Sequence, residues 1–562
     1  MAMLCLSLSA YSYDFMDDGI YYNIVSETDR TVAVTRHDAY SNSYSGNIEI
    51  PERVRYKSTL YYVTHIGSYA FCGCSGLTSV TIPNSVTEIG YGAFYYCFRL
   101  TSVTISNSVT EIGSYAFYYC SGLPSVTVPN SVTKIGDHAF ANCSGLTSVT
   151  IPNSVTEIGY RAFECCSGLT SVTIPNFVTE IGEYTFCGCS GLTSVIIPNS
   201  VTKIEQYAFS SCSGLTSVII SNSVTEIGKA AFCGCSGLTS VTIPDSVTAI
   251  SESAFGGCSG LTSVTIPNSV TEIGKSAFDG CYGLTSVTIP NSVTRIGEFA
   301  FGHCASLSEI NVDPDNPNYC SVNGALLNKD KTVLILVGGG RQGVFAIPGS
   351  VTKIGSDAFC VCSGLTSVTI PNSVTEIGDW AFSRCSGLTW VTIPNSVTEI
   401  GRYAFYRCSG LTSVTIPNSV TYVGESAFGR CSGMTKVYCS ATTPPVSYAG
   451  TFSNTTLDGT LYVPLGTKSA YMAVSPWRDF WNIEEYDFSS SGIEHISGDI
   501  NSAIVITGKG NIRVLNKDSK SIVRVYSIKG AIIAETSEDT VHDLSKGTYI
   551  VTVGTKSFKV MI

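Results

Sequence analysis

The sequence predicts a repeat solenoid, a stack of short coils, followed by a small all-β domain. A phenylalanine recurs at intervals of 23 residues through most of the chain, and the residues between two such phenylalanines keep nearly the same order. From residue 488 onward, short apolar runs alternate with turns instead. A 23-residue unit has too few side chains to enclose a core alone, so adjacent units must bury one another's apolar faces.

Residues 1–12 are apolar and then small, which is typical of the end of a secretory signal peptide with cleavage near Tyr13. The positively charged start of such a peptide is missing, so either translation begins upstream or the segment has another role. Cys5 follows Leu4, where a lipoprotein signal needs a small residue, and this argues against lipidation. The segment therefore predicts export.

Residues 13–66 are rich in β-forming residues but do not follow the repeat. Strands are expected at Ile20–Val25, Thr31–Thr35 and Ile48–Pro51. A solenoid needs an atypical unit to cover each end of its core, so 13–66 is predicted as the N-terminal cap.

The solenoid itself is predicted over residues 67–440, and the unit Cys74–Tyr96 shows its pattern. Leu77, Val80 and Ile82 have the spacing of a short strand in which outward residues alternate with apolar ones. The strand ends at a proline, two more apolar residues re-enter the core, and an Ala-Phe pair is expected on a short helical or 3₁₀ turn. Strands stacked at about 4.8 Å would make fifteen coils a rod roughly 70 Å long, with a parallel sheet along one face.

The register of the repeat is constant across fifteen copies. The repeating phenylalanines are Phe71, Phe94, Phe117, Phe140, Phe163, Phe186, Phe209, Phe232, Phe255, Phe278 and Phe301, then Phe359, Phe382, Phe405 and Phe428. The pattern Leu-x-x-Val-x-Ile-Pro, Val-x-x-Ile-Gly, Ala-Phe-x-x-Cys resembles the leucine-rich repeats of the BspA-like type, over about residues 62–440. These repeats occur in cell-surface proteins of anaerobic bacteria and some parasitic protists. The resemblance implies a curved leucine-rich-repeat rod and a role in surface adhesion.

The register breaks once, and an insertion is predicted at 313–345. It is expected to hold a hairpin of Ala325–Asn328 and Thr332–Val337. Residues 313–317 have the composition of a calcium loop, but Pro317 and Asn318 stand where an EF-hand loop needs an oxygen ligand and a glycine. The segment is therefore predicted to be a turn.

Residues 441–487 are predicted as the C-terminal cap, with Trp477 and Trp481 as part of a plug of large side chains. A short linker, Ser489–Gly492, precedes a predicted β-sandwich over 488–562. Its expected strands are Ala503–Thr507, Ile512–Leu515, Ile522–Ser527, Ala531–Glu535, Thr548–Val553 and Ser557–Met561. The order of its Val-Tyr-Ser-Ile-Lys-Gly, Gly-Thr-Tyr-Ile-Val and Phe-Lys-Val motifs resembles the C-terminal sorting domain of the type IX secretion pathway, which implies transport to the cell surface; a plain accessory sandwich is the alternative.

Charge and hydropathy exclude several classes of protein. Charged residues make up 13% of the chain and the net charge is −11. Nucleic-acid binding depends on clustered Lys and Arg, so no nucleic-acid partner is expected. No run approaches the roughly 18 apolar residues of a transmembrane helix. The six histidines are scattered and occupy no repeat column, so the sequence predicts a protein that is not an enzyme.

Most cysteines occupy one column of the repeat and predict a structural ladder of thiols rather than disulfides, because stacked side chains point the same way. The column is Cys74, Cys97, Cys120, Cys143, Cys166, Cys189, Cys212, Cys235, Cys258, Cys281, Cys304, Cys362, Cys385, Cys408 and Cys431. Among five further cysteines, Cys165 and Cys187 are the one candidate pair between coils. No metal site or cofactor is predicted, since adjacent coils do not complete a four-ligand zinc set. Many thiols in an exported chain suit an anaerobic habitat.

Two clusters depart from the uniform repeat and are the candidate binding residues. The first is aromatic and consists of Tyr91, Tyr95, Tyr96, Tyr115, Tyr118 and Tyr119. Tyrosine offers contact area at low entropic cost, so this cluster predicts binding of a protein or a sugar, with packing against the N-terminal cap as the alternative.

The second cluster is cationic and consists of Arg384, Arg407 and Arg430 in one column, with Arg402 nearby. Like charges on adjacent coils repel unless acids or an anion compensate them, and Glu399 and Glu425 are the expected acids. The column predicts either binding of an anion or acidic glycan, or a solvated surface with local ion pairs.

These observations predict a secreted or cell-surface adhesion protein, a monomeric rod that binds host proteins, other cells or glycans through the solenoid. Two alternatives remain. The protein is a passive structural or shielding component of the envelope, or it is a carbohydrate-binding accessory protein.

Overall fold

The structure is a computed structural model. It describes residues 13–38, 43–448, 450–453, 456–488, 504–508, 511–515, 522–527, 532–538, 540–542, 544–545, 548–553 and 556–561. The predicted signal peptide at 1–12 and the predicted linker at Ser489–Gly492 lie outside these residues. The chain divides into two compact units, Met1–Asp330 with Leu336–Arg341 and Lys331–Ile335 with Gln342–Ile562.

Both units are β-solenoids, which confirms the predicted fold class. In the first unit, the Ser-Val-Thr strands form short parallel sheets with equivalent strands of neighbouring coils, as Ser79 pairs with Ser102. The pair of Ser45–Glu49 with Gly76–Thr81 shifts register once, between Gly46 and Asn47. These strands are Ser45–Glu49, Gly76–Thr81, Ser102–Thr104, Ser125–Thr127, Ser148–Thr150, Ser194–Ile196, Ser217–Ile219, Ser240–Thr242, Ser263–Thr265, Ser286–Ile289 and Glu309–Val312. In the second unit they are Gln342–Ala346, Gly364–Thr369, Trp390–Thr392, Ser413–Ile416, Lys436–Cys439, Thr460–Pro464 and Asn482–Tyr486.

A second parallel ladder, which the sequence analysis did not predict, follows the corner of each coil. Its strands are mostly two residues long, and Ile89 pairs with Ile112 in the next coil. In the first unit they are Thr31–Thr35, Thr59–Ile66, Glu88–Ile89, Glu111–Ile112, Lys134–Ile135, Glu157–Ile158, Glu180–Ile181, Lys203–Ile204, Glu226–Ile227, Ala249–Ile250, Glu272–Ile273 and Arg295–Ile296. The others are Val333–Leu336, Lys353–Ile354, Glu376–Ile377, Glu399–Ile400, Tyr422–Val423 and Val446–Ser447.

The segment around each Ala-Phe pair is a run of tight turns and not the predicted helical or 3₁₀ turn. The Ala93 N–H donates to the Gly90 carbonyl within the coil, at 3.2 Å, whereas the Phe94 N–H donates to Ala116 of the next coil, at 2.7 Å. The two kinds of bond alternate along the segment. Helical bonding cannot continue because every second N–H is already committed to the neighbouring coil.

The core of each unit is a stack of phenylalanine rings. From Phe71 to Phe301, adjacent ring centroids lie 4.9–5.6 Å apart and the rings are within 11° of parallel. A second stack runs from Phe359 to Phe452. All these rings are buried, and Leu, Val and Ile of the two ladders surround them. The rings therefore repeat once per coil, at close to the spacing of the paired strands.

Glycine 136 illustrates why the corner after the second ladder excludes side chains. A Cβ atom on Gly136 would lie 2.5 Å from the main-chain nitrogen of Ser114 and 2.8 Å from the carbonyl carbon of Gly113. Glycine is needed at this position because the backbones of two adjacent coils approach closely there. Glu205 and Ser251 occupy the same column, so local shifts of a coil can relieve it.

The N-terminal cap extends the ladders rather than merely covering them. Thr31–Thr35 pairs in parallel with Thr59–Ile66, and Ser45–Glu49 pairs with Gly76–Thr81. The remaining cap strands, Phe15–Asp17, Ile20–Ser26 and Arg53–Tyr56, add antiparallel neighbours.

The C-terminal end also continues a ladder, because Lys436–Cys439 pairs with Thr460–Pro464, which pairs with Asn482–Tyr486. Trp477 is fully buried here, and its indole N–H donates to the Pro445 carbonyl at 3.0 Å. Trp481 is 88% exposed, so its predicted place in the plug was wrong. The short helices of this region are Thr456–Asp458, Lys468–Met472 and Trp477–Asp479.

In the insertion, both predicted strand segments are strands, at Ala325–Asn328 and Val333–Leu336. An unpredicted strand, Tyr319–Val322, forms an antiparallel hairpin with Ala325–Asn328. Its turn residues, Asn323 and Gly324, both have positive φ (52° and 73°). The predicted turn before it is confirmed by a bond from the Asn316 N–H to the Asp313 carbonyl, at 2.9 Å.

The C-terminal region forms short antiparallel strands at the predicted places. Ile504–Gly508, Asn511–Leu515 and Thr540–Val541 form one sheet, and Val523–Ser527, Ile532–Thr536, Thr548–Val553 and Lys556–Met561 form another. Val523, Val525 and Val551 are buried. The sandwich arrangement of these sheets stays a prediction.

Candidate binding surfaces

The candidate residues lie in the turn segments, where the repeat varies most. Two positions in each turn have left-handed backbone conformation, which glycine usually supplies. Here tyrosine, histidine, arginine and cysteine often occupy them: φ is 59° at Tyr115, 60° at Tyr96 and 60° at Arg384. The N–H groups of these residues donate to the next coil, as Tyr96 does to Tyr118 at 2.8 Å. Bonds between coils therefore hold a conformation that places large side chains on the surface.

The six candidate tyrosines form one packed cluster, which we call the tyrosine cluster. Tyr95 stacks on Tyr118 and Tyr96 on Tyr119, each with ring centroids 4.9 Å apart and nearly parallel planes. Tyr91 lies 5.3 Å from Tyr115. Tyr91 and Tyr119 are exposed and the other four are half-buried. The cluster presents ring edges, part of the ring faces and hydroxyl groups to solvent.

Aromatic contacts continue beyond the tyrosine cluster along neighbouring coils, which the sequence analysis missed. His138 stacks on Tyr115 at 4.5 Å and lies 5.3 Å from Tyr160. Farther along, Tyr184 stacks on Tyr207 at 4.7 Å, and the Arg161 guanidinium lies 4.3 Å from the Tyr184 ring centre. The signal was available, since these residues share columns with the cluster at 23-residue intervals.

The N-terminal cap contacts Tyr69, which neighbours the tyrosine cluster. The Arg36 guanidinium lies 5.6 Å from the Tyr69 ring centre, and Tyr69 contacts Tyr91 and Tyr95 at 5.3 and 6.3 Å. Tyr118 and Tyr119 lie one coil farther from the cap, so packing against the cap does not explain why tyrosines occupy these two positions.

Burial changes the acidity of several groups in this region. It raises the pKa of the Tyr118 phenol to about 12, with a smaller contribution from Tyr96. It also raises the pKa of Tyr115, with a further contribution from Tyr91. Burial first, and then the Arg161 charge, lowers the pKa of His138. At neutral pH the cluster is therefore an uncharged surface of aromatic rings and hydroxyl groups.

The arginine column lies in the second unit, beside a second aromatic group. Arg384, Arg407 and Arg430 are exposed. The predicted pairing with Glu399 and Glu425 was wrong. Glu399 belongs to the second ladder, and a carboxylate oxygen of Glu425 accepts a 3.4 Å hydrogen bond from the Tyr403 hydroxyl.

Arg402, the fourth predicted cation, has a different environment from the arginine column. Its Nε lies 3.4 Å from Oδ2 of Asp379, and its main-chain N–H donates to Oδ1 of the same residue. In the part of the chain that the structure describes, no ion pair involves Arg384, Arg407 or Arg430. Arg402 is therefore paired with an acid, whereas the arginine column is not.

The fifteen column cysteines are buried free thiols, and each of thirteen donates to the carbonyl of a phenylalanine one coil back, at 3.0–3.3 Å. Burial raises the pKa of Cys143 to about 12. Cys165 is exposed and Cys187 half-buried; both are free thiols, and the Cys165 N–H donates to the Cys187 carbonyl at 2.7 Å. Burial raises the pKa of both thiols.

The strand face is covered by outward Ser and Thr. Just before these strands, a threonine hydroxyl donates to the carbonyl of the preceding coil, as Thr101 does to Thr78 at 3.0 Å. Ile196 and Ile219 interrupt the hydroxyl pattern and are exposed. Among the described residues, no group of three or more His, Cys, Asp or Glu side chains is placed to hold a metal ion. Within the same residues, no helix has the length and hydropathy needed to span a bilayer.

Comparison with family models matches the BspA type leucine-rich repeat region to residues 35–167, 111–239, 225–323 and 343–458. A leucine-rich repeat protein of Bacteroides ovatus, with a solved structure, is 30% identical; the match covers 76% of this chain and 94% of that one, with a TM-score of 0.49. A leucine-rich cell surface protein of Faecalibacterium prausnitzii is also 30% identical, with coverage of 84% and 98% and a TM-score of 0.37. Comparison with curated proteins gives no match.

Proposed function

Since the chain belongs to the BspA-type leucine-rich repeat family, we propose that it is a non-enzymatic adhesion protein that acts outside the cell. It binds a protein on a host or neighbouring cell through its repeat region. The family's repeat is a general protein-interaction fold, and the identity of this chain's binding surface is part of the proposal.

The tyrosine cluster is the observation that carries the proposal. Aromatic side chains with a polar tip are enriched at protein interfaces because they bury a large area and still satisfy a hydrogen bond. The stacks of Tyr95 on Tyr118 and Tyr96 on Tyr119 hold four rings in place before a partner arrives. Such preorganisation lowers the entropic cost of binding.

Export and display are supported by the two ends of the sequence. The first twelve residues resemble the end of a signal peptide, and the C-terminal strands carry motifs resembling a type IX sorting domain. The many free thiols suit an exported protein of an anaerobic bacterium. We therefore propose attachment to the outer surface after type IX secretion.

Two other functions are distinguished by what binds. A carbohydrate-binding accessory protein would use the same stacked rings as platforms for sugar faces, and a glycan array would then give saturable binding where proteins give none. A passive shielding protein would bind neither. The exposed tyrosines favour a binding role because shielding alone does not call for contiguous aromatic residues at the surface.

The binding test compares the full chain with Tyr118→Ala/Tyr119→Ala against a panel of extracellular-matrix proteins and intact partner cells. Both substitutions break a stack, so affinity should fall about tenfold or more. The matched control is Tyr438→Ala/Tyr462→Ala, which removes another half-buried pair stacked at 4.6 Å. Equal loss in both variants, or no saturable binding by the wild type, would overturn the proposal.

The display test treats intact cells with protease and identifies the mature termini by mass spectrometry. Surface location predicts release of repeat peptides from intact cells and loss of the first twelve residues. If the protein remains intact until the cells are lysed, the proposal that it is exported to the cell surface is wrong. Deletion from residue 489 onward should then retain the protein inside the cell if the sorting interpretation is correct.

A further inference from the structure

We propose that the arginine column and the adjacent aromatic residues form a binding site for an acidic polysaccharide. The site consists of Arg384, Arg407 and Arg430 together with Trp380, Tyr403 and Tyr406, all in the second unit. It goes beyond the adhesion function proposed for the tyrosine cluster and does not depend on it.

The columns across this surface have a definite order of charge. Asp379, Arg402 and Glu425 form the first column, and their charges are mutually compensated or hydrogen-bonded. The next two columns hold three aromatic residues, Trp380, Tyr403 and Tyr406, together with serine and glycine. The last column holds the three arginines in successive coils, with left-handed φ of 57–60°. The arginine column therefore lies on the far side of Trp380, Tyr403 and Tyr406 from the column of Asp379 and Glu425.

Backbone bonds hold the three arginines at the same height in their coils. The Arg384 N–H donates to the Tyr406 carbonyl at 2.7 Å, and the Arg407 N–H donates to the Gly429 carbonyl at 2.9 Å. Arg430 makes the equivalent bond to Ser453 at 2.8 Å. Three guanidinium groups on adjacent coils repel one another, and a bound polyanion removes that repulsion while accepting charge-assisted hydrogen bonds.

The aromatic residues beside the column suit a sugar chain in particular. Trp380 stacks on Tyr403 with centroids 4.1 Å apart and planes within 7°. Tyr406 lies edge-on to both rings and under the cations, with the Arg407 and Arg430 guanidinium carbons 5.4 and 5.9 Å from its centre. The half-buried rings offer apolar contact to the C–H face of a pyranose, while the guanidinium groups meet its acidic substituents.

The spacing of the coils matches the repeat of the ligand. Phe382, Phe405 and Phe428 stack once per coil in this region, with ring centroids 4.9 and 5.2 Å apart. This is close to the length of one pyranose residue along an extended polysaccharide. The three arginines can therefore meet acidic groups along one polysaccharide chain, and each further contact is made at high effective concentration.

A polysaccharide fits the surface better than a nucleic acid or an acidic peptide. Nucleic-acid binding needs a wider basic surface than three arginines. An acidic peptide would use the cations, but its acidic side chains bring little apolar C–H surface to the stacked Trp380 and Tyr403 rings.

The test measures binding of the full chain to labelled heparin, a sulfated polysaccharide, and polygalacturonate, a carboxylated one, by biolayer interferometry. Dextran is the neutral control, and polyglutamate and oligo-dT are the other polyanions. Wild type should bind at least one acidic polysaccharide more tightly than dextran, polyglutamate or oligo-dT. Arg384→Gln/Arg407→Gln/Arg430→Gln should lose about tenfold or more in affinity, since charged hydrogen bonds are removed. All three side chains are exposed, so the thermal midpoint should stay unchanged.

The matched control is Lys229→Gln/Lys275→Gln/Arg295→Gln, which makes the same change in net charge at cations paired with Glu252, Glu298 and Glu272. This variant and Tyr118→Ala/Tyr119→Ala should both keep wild-type affinity for the polysaccharide. An equal loss of affinity in the arginine-column variant and in this control variant would overturn the proposed site. Failure of the wild type to bind either acidic polysaccharide would also overturn it. Equal or tighter binding of polyglutamate or oligo-dT would overturn the assignment to a sugar chain. Loss of protein binding in the tyrosine variant concerns only the adhesion proposal.

Discussion

The thiol of Cys97 donates a hydrogen bond to the main-chain carbonyl oxygen of Phe71, 3.0 Å away. The same carbonyl accepts the N–H of Cys74 at 3.2 Å, so the thiol satisfies its second lone pair. The relationship recurs in every coil from Cys97 to Cys304 and from Cys385 to Cys431. Cysteine fits this column because it is small, apolar enough for the core and still a donor.

Replacing one column thiol should destabilise the coils that it joins. Cys235→Ala removes the 3.2 Å bond to the Phe209 carbonyl and leaves a small void, so the free energy of unfolding should fall by about 1 to 2 kcal/mol. Urea unfolding measures the loss, and hydrogen exchange of flanking peptides locates it. Cys165→Ala, at an exposed thiol, should change neither; an equal effect of the two would refute a specific role for the ladder.

Alkylation of the native protein should discriminate sharply among the described cysteines. Thiolate is the reactive form, and burial both raises the thiol pKa of column members such as Cys143 and excludes the reagent. With iodoacetamide at pH 8, mass spectrometry should find Cys165 modified first, the half-buried Cys72, Cys187, Cys233 and Cys320 more slowly, and the column only after denaturation. Modification of Cys120 or Cys143 in the folded protein would contradict the structure.

Adding a methyl group at the corner of a coil should force two coils apart. In Gly136→Ala the new Cβ would meet backbone atoms of Gly113 and Ser114, which cannot move without disturbing the ladder. The expected loss of stability is about 1 to 3 kcal/mol, the range for overpacking, measured as a lower denaturation midpoint. Gly349→Ala is the control, because no atom lies within 4 Å of its added Cβ; a drop of similar size there would contradict the explanation.

His138 should titrate below the ordinary histidine pKa of about 6.5. Burial and the Arg161 charge disfavour the imidazolium, outweighing Asp137, which favours it. The unfolded chain therefore takes up this proton at a higher pH than the folded chain does, and the His138 contribution to stability is lost as pH falls below about 6.5.

NMR titration of labelled histidine measures the pKa of His138 directly. Arg161→Gln should raise it toward the ordinary value without fully restoring it, since burial remains. Lys229→Gln removes a distant cation and should leave it unchanged. A wild-type pKa above 6.5 would show that the ring is charged in the cluster.

The 23-residue offset predicted which residues lie side by side more reliably than it predicted which side chains form ion pairs or hydrogen bonds. Equal offsets place Tyr95 beside Tyr118, and the rings stack there at 4.9 Å. The same arithmetic placed the arginine column in successive coils but assigned it the wrong acids. Whether Glu425 reaches an arginine or Tyr403 depends on side-chain direction within a left-handed turn, and spacing along the sequence carries no information about that.

The missed elements have identifiable causes. The second ladder uses only two residues per coil, such as Glu88–Ile89, too short for an alternating pattern to stand out. The hairpin at Tyr319–Val322 was detectable, because Asn323-Gly324 is a strong signal for a two-residue turn. Trp481 was expected to be buried on hydrophobicity alone, yet a cap has an outer as well as an inner surface.

The sequence by itself determined the solenoid, its register and the residues that share a column, because a constant period of 23 residues places equivalent side chains one above another in successive coils. Only the tertiary structure decided which hydrogen bonds and ion pairs the residues of each column form. Bonds between coils turned the expected helical turn into tight turns with left-handed residues, directed the thiols to the phenylalanine carbonyls, and left three arginines without acids. These outcomes depend on which hydrogen-bond donors and acceptors of the neighbouring coil are already used. The sequence of one repeat unit does not contain that information.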